Sequence, residues 1–196
     1  FIVPNSVEVR DYQVNLANQA KNENCLIILP TGLGKTVVAL HVIADYLTKG
    51  NGGVLFLAPT KVLVNQHYEF LKNTLAIDDI ALITGENLLT KRKKLWINSV
   101  ICATPEITRN DIARKIVDTT QFNLIIFDEA HRAVGDYAYV EIAKQLNKSN
   151  VRLLGMTATL PSEKEKAKEI CDNLHVRGLA ERNDSSPDVK PYIQET

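Results

Sequence analysis

A basic surplus is missing from this chain. Its 23 lysines and arginines are balanced by 23 aspartates and glutamates, so bulk charge attracts no polyanion and any contact with nucleic acid must come from local placement. Cysteine is scarce: Cys25, Cys102 and Cys171 are odd in number, widely spaced and form no CxxC, which excludes a disulfide framework and offers no zinc spacing. A reducing, intracellular compartment is expected. Long hydrophobic runs are also lacking. Cys25-Leu26-Ile27-Ile28-Leu29 is among the longest, far short of the ~20 residues a membrane helix requires. Neither an internal repeat nor a low-complexity tract is found, and 196 residues at 45% hydrophobic and 23% charged describe one globular domain with room for a short extension, rather than a disordered tail. The first residue is Phe1 and the only methionine is Met156, so the chain is expected to be part of a longer gene product.

What is present is a repeated strand-then-helix rhythm. Short apolar runs at 25–29, 54–57, 80–83, 100–103, 124–127 and 153–156 lack polar alternation, as parallel strands do when helices cover both faces of a sheet. Between them Leu63, His67, Phe70 and Leu71 share one helical face, as do Tyr139, Ile142, Ala143 and Leu146, and then Ala167, Ile170, Cys171 and Leu174. The expected fold is α/β, a mostly parallel sheet with helices on both faces. Ser162 and Glu165 have capping-box spacing after Pro161, which predicts the start of the last helix. The polar stretch 182–191, with two prolines, reads as a departure from the core. The expected division is a lobe over 1–180 and an exit linker over 181–196.

Chemistry concentrates at two strand ends. Ile27-Ile28-Leu29 runs into Pro30-Thr31-Gly32-Leu33-Gly34-Lys35-Thr36 and then a helical pattern. That context suits a phosphate-binding loop, although the strict pattern has glycine where this chain has Leu29. Gly32 and Gly34 let the backbone curl its amides inward, and the helix N-terminus adds partial positive charge. Lys35 would reach the β- and γ-phosphates, with the Thr36 hydroxyl on Mg²⁺. Downstream, Leu124-Ile125-Ile126-Phe127 ends in Asp128-Glu129-Ala130-His131. An apolar strand running into two carboxylates is the Walker B pattern: Asp128 is the candidate second ligand of the cation, and Glu129 the candidate base for the attacking water.

These two segments together resemble the superfamily 2 helicases of the DEAH-box type. Further stretches match in order: Arg10-Asp11-Tyr12-Gln13 is similar to the glutamine motif, Ala58-Pro59-Thr60-Lys61 to motif Ia, Thr84-Gly85 to motif Ib, Thr104-Pro105-Glu106 to motif Ic, and Thr157-Ala158-Thr159 to motif III. The run 127–140 and Ser186-Pro187-Asp188-Val189-Lys190-Pro191-Tyr192 narrow the resemblance to the Hef-type helicase-nucleases of archaea and the related Fanconi anaemia M-type translocases.

The resemblance implies a RecA-like P-loop lobe that binds ATP and Mg²⁺, with Gln13 reading adenine and Thr31, Gly32, Leu33, Gly34, Lys35 and Thr36 around the phosphates. It implies that Pro59, Thr60, Lys61, Thr84, Gly85, Thr104 and Pro105 line a groove for one nucleic-acid strand. His131, Thr157, Ala158 and Thr159 would couple the site to movement, His131 not being a metal ligand. His67 reads as a core-side histidine. Lys91-Arg92-Lys93-Lys94 is either a further contact cluster or the solvated face of a helix packed through Leu95 and Trp96.

No Gly-Arg dipeptide occurs, so nothing resembles the motif that carries arginine fingers in the family's second lobe. That lobe is expected in cis but outside this chain, which leaves the isolated lobe nearly inactive. The expected activity is ATP-driven DNA translocation or unwinding on branched or forked DNA, in a cytoplasmic, nucleoid-associated protein with no membrane segment. The alternative is an RNA-directed motor related to the innate-immune RNA sensors. Phosphate contacts alone do not separate the two, because that distinction rests on the 2′-hydroxyl.

Overall fold

The computed structural model describes residues 1–50, 52–148 and 150–193. Its strands are β1 (Cys25–Ile28), β2 (Gly53–Leu57), β3 (Ile80–Ile83), β4 (Val100–Ala103), β5 (Phe122–Asp128), β6 (Arg152–Thr157) and β7 (Gly178–Glu181). They form one sheet in the order β3-β4-β2-β5-β6-β1-β7, every pairing parallel. The helices are α1 (Asp11–Asn22), α2 (Lys35–Lys49), α3 (Lys61–Thr74), α4 (Leu89–Leu95), α5 (Pro105–Ala113), α6 (Ala138–Leu146) and α7 (Lys164–Asn173).

Successive strand residues point to opposite faces, and the core divides accordingly. Ile27, Phe56, Cys102, Ile126 and Met156 face α1, α2 and α3 in one apolar cluster. Leu26, Leu55, Ile101, Ile125 and Leu153 face α6, Trp96 and Leu174 in the other. Both faces are covered, which is why β1, β2 and β4 are buried at every position. The predicted face of α6 is buried at Tyr139, Ile142, Ala143 and Leu146.

The chain end differs from expectation. Gly178–Glu181 adds a seventh strand beside β1, Cys25 pairing with Gly178 and Ile28 with Glu181. It has no β-branched residue and buries only Ala180, so it carries the signature of an edge strand rather than of a core run. The stretch after it then folds back onto α1 instead of leaving the core. Val189 is fully buried, Asn15 and Arg182 both bond Asp188, and the Tyr192 ring packs edge-on against Tyr12 at 5.6 Å. Residues 194–196 of the expected linker lie outside the described residues. Helix α7 begins at Lys164 with Glu163 as its N-cap and no side-chain cap, so the box expected from Ser162 and Glu165 does not form.

The basic run 91–94 is split by burial. Lys91, Lys93 and Lys94 are exposed, whereas Arg92 turns inward and grips both oxygens of the fully buried Asp111 at 2.9 and 3.1 Å. Trp96 Nε1 donates to the same carboxylate at 2.8 Å. Removing one member of a buried pair strands the other charge. Asp111→Ala is therefore expected to lower stability by about 3–5 kcal/mol in urea denaturation, and Asp111→Asn, which keeps an acceptor, by less. A loss under about 1 kcal/mol for Asp111→Ala would show that the pair is solvated.

Candidate active site

Parallel strands all end at the same edge, and in open α/β sheets that edge is where ligands bind. Strand order sorts the candidate residues along it. Strands β5, β6 and β1 are contiguous and end in Asp128-Glu129, in Thr157-Ala158-Thr159 and in the phosphate loop. Strands β3, β4 and β2 make the other half and end in Thr84-Gly85, in Thr104-Pro105 and in Pro59-Thr60-Lys61.

The phosphate loop owes its shape to two left-handed glycines, Gly32 at φ 93° and Gly34 at φ 83°. Gly34 is the N-cap of the 15-residue α2, so Lys35 and Thr36 open that helix. Both are half-buried, and neither side chain has a hydrogen-bond partner among the described residues. Helix α1 clamps the loop: Tyr12 Oη and Gln13 Nε2 both donate to the Leu33 carbonyl, at 2.7 and 3.0 Å. Gln13 is 3% exposed, and its Oε1 is buried with no partner. A buried amide oxygen without a donor is uncommon. It lies beside an open cavity of about 290 Å³ lined by Val7, Glu8, Arg10, Gln13, Gly32, Leu33, Gly34 and Val37. That orphaned acceptor fits the exocyclic amine of adenine, and the hydroxyl of Thr36 with the carboxylate of Asp128 is the hard oxygen set that Mg²⁺ prefers.

Asp128, 5% exposed, ends β5 two strand spacings from β1, roughly 10 Å. Its Oδ2 accepts from His67 Nε2 at 2.7 Å, and its backbone carbonyl accepts from Tyr139 Oη at 2.7 Å. Burial holds the Tyr139 phenol well above its ordinary pKa, with Tyr137 and Asp128 adding to the effect. The strand ends abruptly at Glu129, a left-handed residue at φ 49°, whose carboxylate accepts from Arg132 Nε at 2.9 Å. His131 Nδ1 lies 3.0 Å from Thr157 Oγ1. Because that hydroxyl donates to the Thr159 carbonyl at 2.9 Å, it accepts from the ring, which places the proton on Nδ1. Three residues from two adjacent strand ends thus form one chain of hydrogen bonds.

In the other half, Thr60 caps α3 by accepting from the Leu63 amide at 3.2 Å, and Lys61, exposed, pairs with Glu86 at 2.6 Å. That bond, with the lysine's charge, holds the Glu86 carboxyl below its usual pKa. Thr84 is 8% exposed, its hydroxyl accepting from the Glu86 amide and its own amide donating to Asn87. Gly85 is exposed, Thr104 half-exposed, and Pro105 is buried as the first residue of α5, where it shapes the loop but presents no surface. The thiols offer no nucleophile: burial, with Glu23 adding to it, pushes Cys25 up to about 11, and burial also raises Cys102 and Cys171.

The structure thus brings Gln13, the phosphate loop, Asp128, Glu129, His131 and Thr157 to one half of one edge. It adds two residues that the sequence reading did not place there. His67 is buried as expected, but as the partner of Asp128 rather than as packing alone. Arg132 holds Glu129. The available signal for His67 was general: a buried imidazole on an apolar face needs a polar partner.

This sheet, with its glycine loop opening a helix and its acidic strand end two strands away, is a RecA-like P-loop NTPase domain. The family model described as DEAD/DEAH box helicase matches residues 10–167, and the chain belongs to that family, whose domains bind ATP. It is 42% identical to the crystal structure of the Pyrococcus furiosus Hef helicase domain, with a TM-score of 0.93 over 95% of this chain and 40% of that one. Among curated proteins it is 43% identical to MJ1505 of Methanocaldococcus jannaschii, provisionally named an ATP-dependent RNA helicase, over 98% of this chain and 25% of that protein. It is 36% identical to the mouse Fanconi anemia group M protein homolog, covering 100% of this chain and 10% of that protein. The ATP-dependent DNA helicase fml1 of Schizosaccharomyces pombe is also 36% identical, over 99% of this chain and 24% of its own length. The chain thus spans a quarter or less of these curated relatives. No helix among the described residues is long and apolar enough to cross a membrane.

A Cβ built on Gly34 would lie 2.4 Å from Gln13 Nε2. Gly34→Ala is expected to cost about 1–2 kcal/mol from its left-handed backbone alone, and more from expelling the Gln13 amide. The double variant Gln13→Ala/Gly34→Ala should recover the steric part and not the backbone part. Urea denaturation of the cycle reads the split, and strict additivity would show that the two residues do not meet.

Proposed function

We propose that this chain is the first RecA-like, ATP-binding lobe of an ATP-dependent DNA helicase or translocase that works on branched or forked DNA. One observation carries the reading: a glycine loop with two unpartnered helix-opening residues, Lys35 and Thr36, shares a sheet edge with the buried Asp128 and with the orphaned acceptor of Gln13. On this reading Gln13 receives the adenine amine. The loop from Thr31 through Gly34 turns its amides to the phosphates, Lys35 meets the β- and γ-phosphates, and Thr36 with Asp128 holds the cation. Mg²⁺, when bound, would neutralise phosphate charge.

Glu129 orients and deprotonates water through Oε1, while Arg132 holds its Oε2. The chain from His131 through Thr157 to Thr159, with Ala158 between, links the site to movement of the lobe. The lobe is assigned to 1–180, and 181–196, which packs on β1 and α1 as far as Tyr192, leads toward a second RecA-like lobe in the same polypeptide. That lobe would supply the arginine fingers, worth about 10³–10⁵ in rate, so the isolated first lobe turns over slowly, in an intracellular setting.

The track is formed by the other half of the edge, chiefly Pro59, Thr60, Lys61 and Gly85, with Thr84, Thr104 and Pro105 shaping the loops. The name of the fml1 relative, an ATP-dependent DNA helicase, favours DNA, and that of MJ1505 favours RNA as the second reading. In the full-length protein, forked DNA should stimulate ATP turnover more than duplex RNA, and Glu129→Gln should bind ATP while turnover collapses. Stronger stimulation by RNA would move the protein to the second reading, and near-normal turnover in Glu129→Gln would remove Glu129 as the base.

Lys61 reaches a phosphate only by exchanging Glu86, an exposed pair of small net energy. Glu86→Gln should therefore tighten single-strand binding, and Lys61→Ala should lower the salt slope by about 0.7. Fluorescence anisotropy over a salt series measures both, and an unchanged slope would take Lys61 off the track.

A further inference from the structure

The bond between His67 and Asp128 has no task in that reading. His67 Nε2 lies 2.7 Å from Asp128 Oδ2, with side-chain exposures of 11% and 7%. An ionised carboxylate only accepts, so Nε2 carries the hydrogen. A bond of this kind, short, charge-assisted and withdrawn from water, is among the stronger ones a side chain can make.

The imidazole is itself immobilised. Its ring stacks on Phe56 with centroids 4.6 Å apart and planes 30° apart. It projects from α3 between Val64 and Leu71, both in the cluster on one face of the sheet. Tyr139, which holds the Asp128 backbone carbonyl, belongs to the cluster on the opposite face. Asp128 is therefore gripped at its side chain from one layer and at its backbone from the other. Its Oδ1 has no hydrogen-bond partner among the described residues.

We propose that His67 is the positioning residue of the cation site: its Nε2–H holds Oδ2 so that Oδ1 is the oxygen offered to the Mg²⁺ that accompanies the nucleotide. This rests on the nucleotide-site reading above. Partners that orient a metal ligand typically matter about 10–100-fold in metal affinity. A histidine that merely packs would lower stability when replaced and leave the cation dependence of binding untouched.

The test is calorimetric titration of this chain with ATP at a series of Mg²⁺ concentrations. His67→Leu keeps bulk without a donor, and His67→Gln restores an N–H; thermal melts report whether each variant is folded. The Mg²⁺ concentration giving half-maximal ATP binding should rise about tenfold or more in His67→Leu and return to within about threefold of wild type in His67→Gln, with metal-free ATP binding unchanged in both. A half-point for folded His67→Leu within about twofold of wild type would overturn the proposal.

A second measurement needs no variant. In wild type, the imidazole N–H proton resonance of His67 should shift on adding ATP with Mg²⁺ and stay in place on adding ATP with a chelator; a resonance unmoved by saturating Mg²⁺ and ATP would equally overturn it. Wild-type binding indifferent to Mg²⁺ would remove the nucleotide-site reading together with this inference. Mg²⁺-dependent wild-type binding that His67→Leu leaves intact would remove the inference alone.

Discussion

Parallel pairing of all seven strands sends every strand end to one edge, and the arrangement of the site depends on that constraint. A parallel pair needs a long crossover, so each strand end opens a loop that leads to a helix. Those loops are the freest part of the backbone at the very edge where ligands enter. The strand order then separates two tasks: β5, β6 and β1 gather phosphate loop and carboxylates, whereas β3, β4 and β2 gather the small polar residues of the proposed track. Between them α3 runs from Lys61, exposed at the track, to His67, buried against Asp128.

The edge is stabilised from behind. The phosphate loop has two left-handed glycines and no side-chain cap on α2, so little in its own conformation favours it. Its order comes from Tyr12 and Gln13, two donors fixed on α1 that meet at the Leu33 carbonyl. Asp128 is buried, and burying a carboxylate costs several kcal/mol unless it is paired. His67 offsets that cost from one layer, while Tyr139 fixes the strand end from the other. In both places strain or desolvation near the ligand is compensated by residues rooted in the two apolar clusters. That is why the site residues recruit partners distant in sequence.

The first six strands were legible because each is a continuous apolar run covered on both faces, and such runs have no other place in a chain this short. Strand β7 was not, since Gly178-Leu179-Ala180-Glu181 buries one side chain and takes its pairing from β1 rather than from its own composition. The return of 182–192 onto α1 rests on Val189, Asp188 and Tyr192, isolated residues in a polar stretch whose composition points the other way. Ser162 and Glu165 have the spacing of a capping box, but the helix starts two residues after that serine. Among the site residues, the loop and Asp128-Glu129 were legible as motifs. His67 was not, because its partner is 61 residues away in sequence. The burial of Arg92 was hidden for the same reason: three lysines around it suggest a solvated face, and only the fold brings Asp111 beneath it.

On the proposed function, the edge formed by the phosphate loop and Asp128 binds a nucleotide through its phosphates. Titrating ATP with Mg²⁺ into wild type and Lys35→Ala by calorimetry tests it most directly. A charged hydrogen bond is worth about 1.5–3 kcal/mol, so the variant should lose about tenfold to hundredfold in affinity. Because Lys35 is half-exposed and unpartnered, its unfolding free energy should stay within about 0.5 kcal/mol of wild type. Undiminished affinity in a folded Lys35→Ala would contradict the claim.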